Sequence, residues 1–365
     1  TSGGALTILR QFLDGINKYS NKTFVYYVFC SLAELKEYEN ENIKIINDVK
    51  AKKWFERIKW DLYGLKKWSK KHNIKADLII SLQNTAPFYF KKAKQIVYLH
   101  QSLPFFKDVK WNLFLKETRV LWFYQNIYPL FIRLNLKNID YLIVQTEWMK
   151  KAVAQILGIN SNKIIVITPN LPQIDINSIS KINFNDNKFH IFYPAAPYFY
   201  KNHELIIKAL KYIKDNYSDI FNNLIVHFTF SKESKGSKKL INLIEKLKVR
   251  DVIKLEGELN YQKVLEFYQS VDLVVFPSYI ETFGLPLIEA ANFGIPLLAS
   301  DLEPIKEIAK DYQGVQFLDY RNEKLWAEKI IECYHQKFRF KPFQPHFNTS
   351  WQDLFKLINN LLNDD

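Results

Sequence analysis

Two carboxylates, Glu281 and Glu289, flank Gly284 within residues 276–290. Carboxylates accept hydrogen bonds from sugar and ribose hydroxyls, and a glycine lets ligand atoms approach the backbone because it has no β-carbon. The preceding run 271–276 is apolar and predicts a buried strand, while the residues after Gly284 predict a helix. The segment therefore combines hydrogen-bond acceptors, a close-approach glycine and a helix N-terminus, a combination suited to a phosphorylated sugar.

The strand and the helix must place this loop at one edge of a sheet. In open α/β sheets, ligands bind at the carboxyl ends of parallel strands. We expect the backbone amides of Thr282, Phe283 and Gly284 to point out of the helix N-terminus, where they would hold a phosphate. The alternative is that both glutamates are solvated surface residues, as most carboxylates are.

The pattern Glu281-Thr-Phe-Gly-Leu-Pro-Leu-Ile-Glu289-Ala, followed by Gly-Ile-Pro, resembles the signature of family 4 retaining glycosyltransferases. That family has the GT-B fold, so the resemblance implies an α/β protein with two Rossmann-like domains whose parallel sheets face each other across a cleft. It also implies that Glu281 lies against the donor sugar and Glu289 holds the ribose hydroxyls. The amides of residues 282–284 would hold the diphosphate.

Lys201 is the cation expected at the diphosphate, because it follows the predicted strand 189–193 at a helix start. A lysine there is unfavourable beside the positive end of the helix dipole, which suggests an anion nearby. The alternative is a solvent-exposed lysine. The family usually has an arginine six residues earlier, where this chain has Ala195, so one phosphate-binding cation is missing or comes from elsewhere.

Three further positions resemble family sites. His100 follows the predicted strand 95–99, and an imidazole there can donate a hydrogen bond to a sugar hydroxyl. The resemblance implies that His100 faces the donor sugar, although a lone histidine is more often structural. Gly3 and Gly4 precede an amphipathic helix and resemble the loop that closes over the donor phosphates. Leu259 lies in a loop that resembles the one contacting the nucleotide base.

The chain of 365 residues exceeds one usual hydrophobic core, which predicts two domains. We expect an N-terminal Rossmann-like, acceptor-side domain over residues 1–170, in which no first strand is apparent before the glycine pair. The polar, non-periodic stretch 171–188 predicts a linker, and residues 189–330 a Rossmann-like nucleotide-sugar donor domain. Residues 331–365 predict a helical tail that crosses back to the first domain.

The net charge of +13 points to an anionic partner. We find no nucleic-acid-binding module. Residues 36–94 carry fifteen Lys or Arg against seven Asp or Glu, interleaved with tryptophans, which suits an acidic membrane surface. A chain-wide bias toward Lys, Asn, Ile and Phe explains the stretch equally well. Two distant cysteines, and no apolar run of membrane-spanning length, favour a cytoplasmic protein, peripheral at the inner face of the cell membrane.

The resemblance implies a transferase that moves a sugar, with retention, from a UDP- or GDP-sugar to a hydroxyl of a glycan or lipid-linked oligosaccharide. Glu281, His100 and Lys201 would be catalytic, in the assembly of surface polysaccharide, O-antigen, capsule or glycoprotein glycans. No Asp-x-Asp pair occurs in a loop, so we expect no metal or other cofactor. The alternatives are a non-catalytic nucleotide-sugar-binding subunit and a GT-B-type sugar-nucleotide epimerase.

Overall fold

The computed structural model of the chain describes residues 4–47, 54–88, 90 and 92–363. It forms two compact units. Within the described residues, the first unit comprises Thr1–Trp111, Val120–Asn170 and Phe347–Asp365, and the second comprises Asn112–Arg119 and Leu171–His346. The residues expected to form a separate linker, 171–188, thus cluster with the second unit.

Helices and parallel strands alternate along most of the chain, as the periodicity predicts. The helices are α1 (Gly4–Tyr19), α2 (Trp54–Lys59), α3 (Leu65–Lys71), α4 (Arg119–Asn126), α5 (Tyr128–Arg133), α6 (Glu147–Leu157), α7 (His203–Asn216), α8 (Ser218–Asn222), α9 (Ser237–Lys246), α10 (Tyr261–Ser270), α11 (Leu285–Asn292), α12 (Glu303–Ala309), α13 (Glu323–Gln336) and α14 (Trp351–Asn363). The strands are β1 (Tyr26–Phe29), β2 (Ile43–Ile46), β3 (Leu78–Ser81), β4 (Lys94–Tyr98), β5 (Tyr141–Val144), β6 (Ile164–Val166), β7 (Phe189–Tyr193), β8 (Leu224–Phe228), β9 (Ile253–Leu255), β10 (Leu273–Phe276), β11 (Leu297–Ser300) and β12 (Val315–Leu318).

The first unit has two parallel sheets, one with the order β1-β2 and one with the order β3-β4-β5-β6. Helix α14 packs on α1, and both cover the sheets with apolar side chains. Phe12 stacks on Phe355 with ring centroids 5.6 Å apart, and Trp351 stacks on Tyr98 at 5.7 Å. The second half of the predicted tail is therefore part of the first unit, whereas residues 331–346 cluster with the second.

The second unit has one six-stranded parallel sheet in the order β12-β11-β10-β7-β8-β9. Each of its strands except β9 and β12 is almost completely buried, as expected of a parallel sheet covered on both faces. The strand order reverses between β7 and β10, so the connections after these two strands leave in opposite directions. A crevice for a ligand is expected at this point.

Two local signals in the first unit are confirmed, and one prediction needs correction. Thr146 caps α6, its hydroxyl accepting the Met149 N–H at 3.2 Å, and Gly158 ends that helix in the left-handed conformation. Pro129 lies in the first turn of α5. The helical pattern of residues 109–136 predicts two helices broken near Pro129. This prediction is wrong before Arg119, because residues 109–118 form bends and turns.

No helix in the described part of the chain has the length and apolar character needed to cross a membrane.

Candidate functional site

The loops that follow β7 and β10 bring Lys201 and Glu281 together. Lys201 ends a short 3₁₀ turn, and its ammonium nitrogen lies 2.7 Å from Glu281 Oε2. Both side chains are less than one-fifth exposed, so the pair is shielded yet open to solvent at one side. A shielded ion pair is stronger than an exposed one because less water screens it.

Buried polar groups at the ends of β7 and β10 fix the backbone around this pair. The Tyr193 hydroxyl donates to the Lys201 carbonyl at 2.5 Å and lies 3.1 Å from Ser278 Oγ. The Asn202 side-chain amide donates to the Pro277 carbonyl at 3.1 Å. Sequence reasoning missed these supporting residues. The sequence does contain a signal for them. Polar residues occur at the carboxyl ends of two predicted strands, and a doubly wound sheet places such strands side by side.

Gly284 caps α11 with φ at +69°, a backbone conformation that residues other than glycine rarely adopt. A β-carbon here would lie 2.8 Å from Leu287 Cδ1 and 3.3 Å from Glu281 Cγ. We expected the amides of residues 282–284 to face a phosphate. In the structure the Thr282 N–H donates instead to Glu281 Oε1, at 3.3 Å. Phe283, in the same loop, has a buried side chain. Glu281 therefore holds both Lys201 and the loop amide.

Glu289 is buried in α11, with 7% of its surface exposed. Burial raises the pKa of its carboxyl, while hydrogen bonds from Tyr261 and Tyr268 favour the charged form. These tyrosines lie seven residues apart, on one face of α10. Sequence reasoning did not find them, although their spacing on the helix just before β10 is a readable signal. Glu289 is thus a positioned acceptor and not a solvated surface residue.

The remaining predicted donor-binding residues are placed only in part. Leu259 is half-buried in the loop between β9 and α10, two residues before Tyr261. Gly4 is the first residue of α1, and Gly3 lies outside the described residues. The donor-binding roles of Gly3, Gly4 and Leu259 stay predictions.

His100 lies in the first unit, just beyond the end of β4. Its backbone N–H donates to Asn84 Oδ1 at 2.9 Å, and no described residue is within hydrogen-bonding distance of its buried Nδ1. Burial and the positive charge of Arg57 lower the pKa of the imidazole, so His100 is neutral at neutral pH. Sequence reasoning also missed Arg57, whose Nε lies 3.2 Å from the buried Asp61 carboxylate. That His100 faces a donor sugar stays a prediction.

Among the described residues, no group of three or more His, Cys, Asp and Glu is placed to hold a metal ion.

Residues 175–343 match the family model described as glycosyl transferases group 1. This segment is a group 1 glycosyl transferase domain. It contains Lys201, Glu281 and Glu289, the residues on which the resemblance of the sequence to family 4 glycosyltransferases chiefly rests.

Two relatives of similar sequence are glycosyltransferases by name. The chain is 24% identical over 212 residues to the O-antigen chain mannosyltransferase RfbU of Salmonella typhimurium, covering 57% of this chain and 55% of the relative. It is also 24% identical over 163 residues to the D-inositol 3-phosphate glycosyltransferase of an Arthrobacter species, covering 45% of this chain and 38% of the relative. The chain thus spans about half of the first relative's length and less than two-fifths of the second's.

Solved glycosyltransferase structures share the fold. WaaG, a glycosyltransferase involved in lipopolysaccharide biosynthesis, superposes with a TM-score of 0.66 at 15% identity, covering 100% of this chain and 95% of WaaG. HepE of Anabaena, solved in complex with UDP, gives a TM-score of 0.63 at 15% identity over 99% of this chain and 92% of HepE. The predicted GT-B fold class is therefore confirmed.

Proposed function

We propose that this protein is a retaining glycosyltransferase that uses a nucleotide sugar and no metal. The acceptor would be a hydroxyl of a glycan or lipid-linked oligosaccharide in surface polysaccharide or lipopolysaccharide assembly. The observation that carries the proposal is the shielded Lys201–Glu281 pair beside the N-terminus of α11. The pair supports the proposal because its ammonium would bind phosphate and its carboxylate would accept hydrogen bonds from sugar hydroxyls, beside the switch point of a parallel sheet.

The ion pair suggests how the site would receive a charged ligand. Without a donor, Lys201 and Glu281 neutralise each other at 2.7 Å. A diphosphate would draw the lysine ammonium toward its oxygens, since phosphate offers more negative charge than one carboxylate. Glu281 would then be free to accept hydrogen bonds from the sugar. The Thr282 N–H would donate to the phosphate instead of to Glu281. One binding event thus replaces two existing interactions, the Lys201–Glu281 ion pair and the Thr282 N–H hydrogen bond to Glu281.

Bond breaking would put negative charge on the leaving diphosphate and positive charge on the sugar ring. Lys201 and the N-terminus of α11 would stabilise the first, and the carboxylate of Glu281 the second. Glu289, held by two tyrosine hydroxyls, would fix the ribose. His100 would be a neutral hydrogen-bonding group at the sugar, because burial disfavours its charged form.

The names of similar proteins support the substrate class. HepE was solved with UDP and with UDP-glucose, which favours a uridine nucleotide sugar as the donor to test first. RfbU is named as an O-antigen mannosyltransferase, which supports a polysaccharide acceptor and keeps GDP-mannose in the donor screen.

The first experiment compares the wild type with Glu281→Ala and Lys201→Ala, measuring thermal stabilisation by nucleotide sugars and release of nucleotide in the presence of acceptor glycans. Lys201→Ala should lose most stabilisation by the donor, whereas Glu281→Ala should keep nucleotide binding and lose turnover. Glu332→Ala is the matched control, because it breaks the Lys329–Glu332 pair of α13 with a comparable N–O distance of 2.6 Å. Unchanged turnover in Glu281→Ala would overturn the role of this glutamate.

One observation favours a second candidate, a non-catalytic nucleotide-sugar-binding subunit. Ala195 occupies the position of the expected arginine, and it is 6% exposed, with its carbonyl accepting from His203 Nε2 at 3.2 Å. The second phosphate cation is therefore not supplied from this position. Such a subunit would be stabilised by a nucleotide sugar in the same assay, yet release no nucleotide with any acceptor, and Glu281→Ala would change neither result.

A further inference from the structure

Buried polar side chains lie beside the carboxyl ends of β3 and β4, around His100. Three of them, Asp61, Ser81 and Asn84, are less than one-tenth exposed. Neighbouring parallel strands place their carboxyl ends at one edge of a sheet, and β3 pairs with β4 along its whole length. A buried polar group is costly unless it is hydrogen-bonded, so the partners of these side chains show what each of them holds in place.

Asn84 holds the backbone at His100. Its Oδ1 accepts the His100 N–H at 2.9 Å and the Gln101 N–H at 3.3 Å. Its side chain also forms a hydrogen bond with the hydroxyl of Tyr128 in α5. The backbone of Asn84 is left-handed, with φ at +66°, a conformation in which asparagine is enriched among residues other than glycine. One side chain thus ties the loop after β3 to the residues after β4 and to α5.

The next residue, Thr85, ties the same loop to the helices before β3. Its hydroxyl donates to Asp61 Oδ2 at 2.7 Å. Asp61 lies in a π-helical turn, Trp60–Gly64, that joins α2 to α3. Such turns within α-helices are frequent at functional sites. The turn brings a carboxylate that is only 6% exposed to the loop after β3.

Arg57 supplies the charge that acts on His100. Its Nε lies 3.2 Å from each carboxylate oxygen of Asp61, and its Nη2 donates to Ser81 Oγ at 3.4 Å. Burial and the positive charge of Arg57 lower the pKa of the His100 imidazole. Tyr128, a further titratable group at this place, interacts with both Arg57 and Asp61. Replacing a buried ion pair by apolar residues is often neutral or stabilising, so stability alone does not explain the Arg57–Asp61 pair.

We propose that the loop after β3 and the π-helical turn position His100 for the proposed transfer reaction. Asn84 fixes the backbone of His100. Asp61, held by Thr85, keeps the Arg57 guanidinium beside the imidazole. A positive charge there disfavours an imidazolium ion, so the ring stays a neutral hydrogen-bonding group for a sugar hydroxyl. This arrangement rests on the proposed function only for its role at the sugar, because the charge of the imidazole can be measured without any ligand.

The first experiment follows the histidine ring signals of the 365-residue chain by NMR as the pH is changed. The chain has seven histidines, so comparison with His100→Gln assigns the signal of His100. Arg57→Gln should raise the pKa of His100, because it removes a positive charge, whereas Arg57→Lys should keep this pKa near the wild-type value. An unchanged pKa in Arg57→Gln would overturn the proposal, whether or not the protein transfers a sugar.

The second experiment measures sugar transfer by Asn84→Gly, in which glycine keeps the left-handed backbone and only the side chain is lost. The kcat should fall by about tenfold or more with little change in KM for the nucleotide sugar, because His100 would be misplaced while donor binding is kept. Asn73→Gly is the matched control, since Asn73 belongs to the same unit, is exposed and has φ at +55°. Equal kcat values for the two variants would overturn the positioning role.

Thr85 offers a milder variant that serves if Arg57→Gln fails to fold. Thr85→Val keeps the shape of the side chain and removes the hydroxyl that holds Asp61. It should lower kcat and raise the pKa of His100, and Thr85→Ser should restore both. Wild-type kcat and an unchanged pKa in Thr85→Val would overturn the proposal. If the pKa of His100 responds as expected but the wild type transfers no sugar, the proposed function fails and the placement of the imidazole stands.

Discussion

At the residue scale, Gly284 controls how Glu281 is presented. Gly284→Ala should destabilise the second unit by about 1–2 kcal/mol, because alanine is strained at positive φ, and its β-carbon would also press on Leu287 and Glu281. Gly158→Ala is the matched control, since Gly158 at the end of α6 also has φ at +69° and the added methyl would meet only the Arg133 side chain, at 3.9 Å. Urea unfolding should show a loss for both variants, larger for Gly284→Ala, and only Gly284→Ala should impair donor binding. Equal effects of the two on donor binding would contradict the proposed contact with Glu281.

The buried carboxyl of Glu289 lowers the stability of the fold when it is charged. Its folded-state pKa is raised, so stability from this group is present below the unfolded value of about 4.5 and lost as pH rises through the folded pKa. Glu289→Gln removes the charge, so it should be more stable than wild type at pH 8, with the difference vanishing below pH 4 on the same grounds. Urea titrations across this range measure the difference, and donor affinity should fall. A stability difference that does not change with pH would contradict buried ionisation.

At the scale of elements, a chain of hydrogen bonds ties β7 and β8 to the loop beyond β9. His190 Nε2 lies 2.8 Å from Asp186, His190 Nδ1 lies 2.9 Å from His227 Nε2, and His227 Nδ1 lies 2.6 Å from Glu256. These three contacts link side chains of the neighbouring strands β7 and β8 to one residue before β7 and one after β9.

Glu256→Gln tests this chain of hydrogen bonds. The hydrogen bond with His227 lowers the pKa of Glu256, so its contribution to stability is present above about pH 4.5 and lost as pH falls through the folded pKa. The variant should lose roughly 1 kcal/mol at pH 7, and the loss should fade under acid. Glu258→Gln, an exposed residue two positions away, should match wild type at every pH. A loss that persists at pH 3.5 would mean that shape, and not charge, is what Glu256 supplies.

The elements were largely predictable, whereas their polar supports were not. The bounds of β2, β7, β12 and α12 follow from apolar runs and turn residues, because a strand or helix buried in an α/β layer must show its burial in its own sequence. The family resemblance implied that Lys201 and Glu281 belong to one site, but not that they form an ion pair with each other. Sequence reasoning did not find the supporting residues Tyr193, Asn202, Tyr261 and Tyr268. Most of their partners lie far away in sequence, and the fold brings them together.

At the scale of the whole molecule, the net charge of +13 has two explanations, a membrane-binding surface and a compositional bias. The structure gives the first explanation a concrete location, because α3 exposes four lysines on seven residues, namely Lys66, Lys67, Lys70 and Lys71. Near an acidic bilayer each would contribute about 1 kcal/mol, and the attraction would be screened over about 8 Å at physiological salt.

We predict that the protein co-sediments with vesicles rich in acidic lipid and that raised salt releases it. Replacing the four α3 lysines by glutamine should weaken this binding by two or more orders of magnitude, since about 4 kcal/mol of attraction is removed. The matched control replaces Lys232, Lys235, Lys238 and Lys246, four exposed lysines of the second unit, by glutamine and so lowers the net charge equally. Equal weakening by both sets would make binding a property of total charge. Binding that ignores salt and acidic lipid would remove the acidic membrane surface from the proposal.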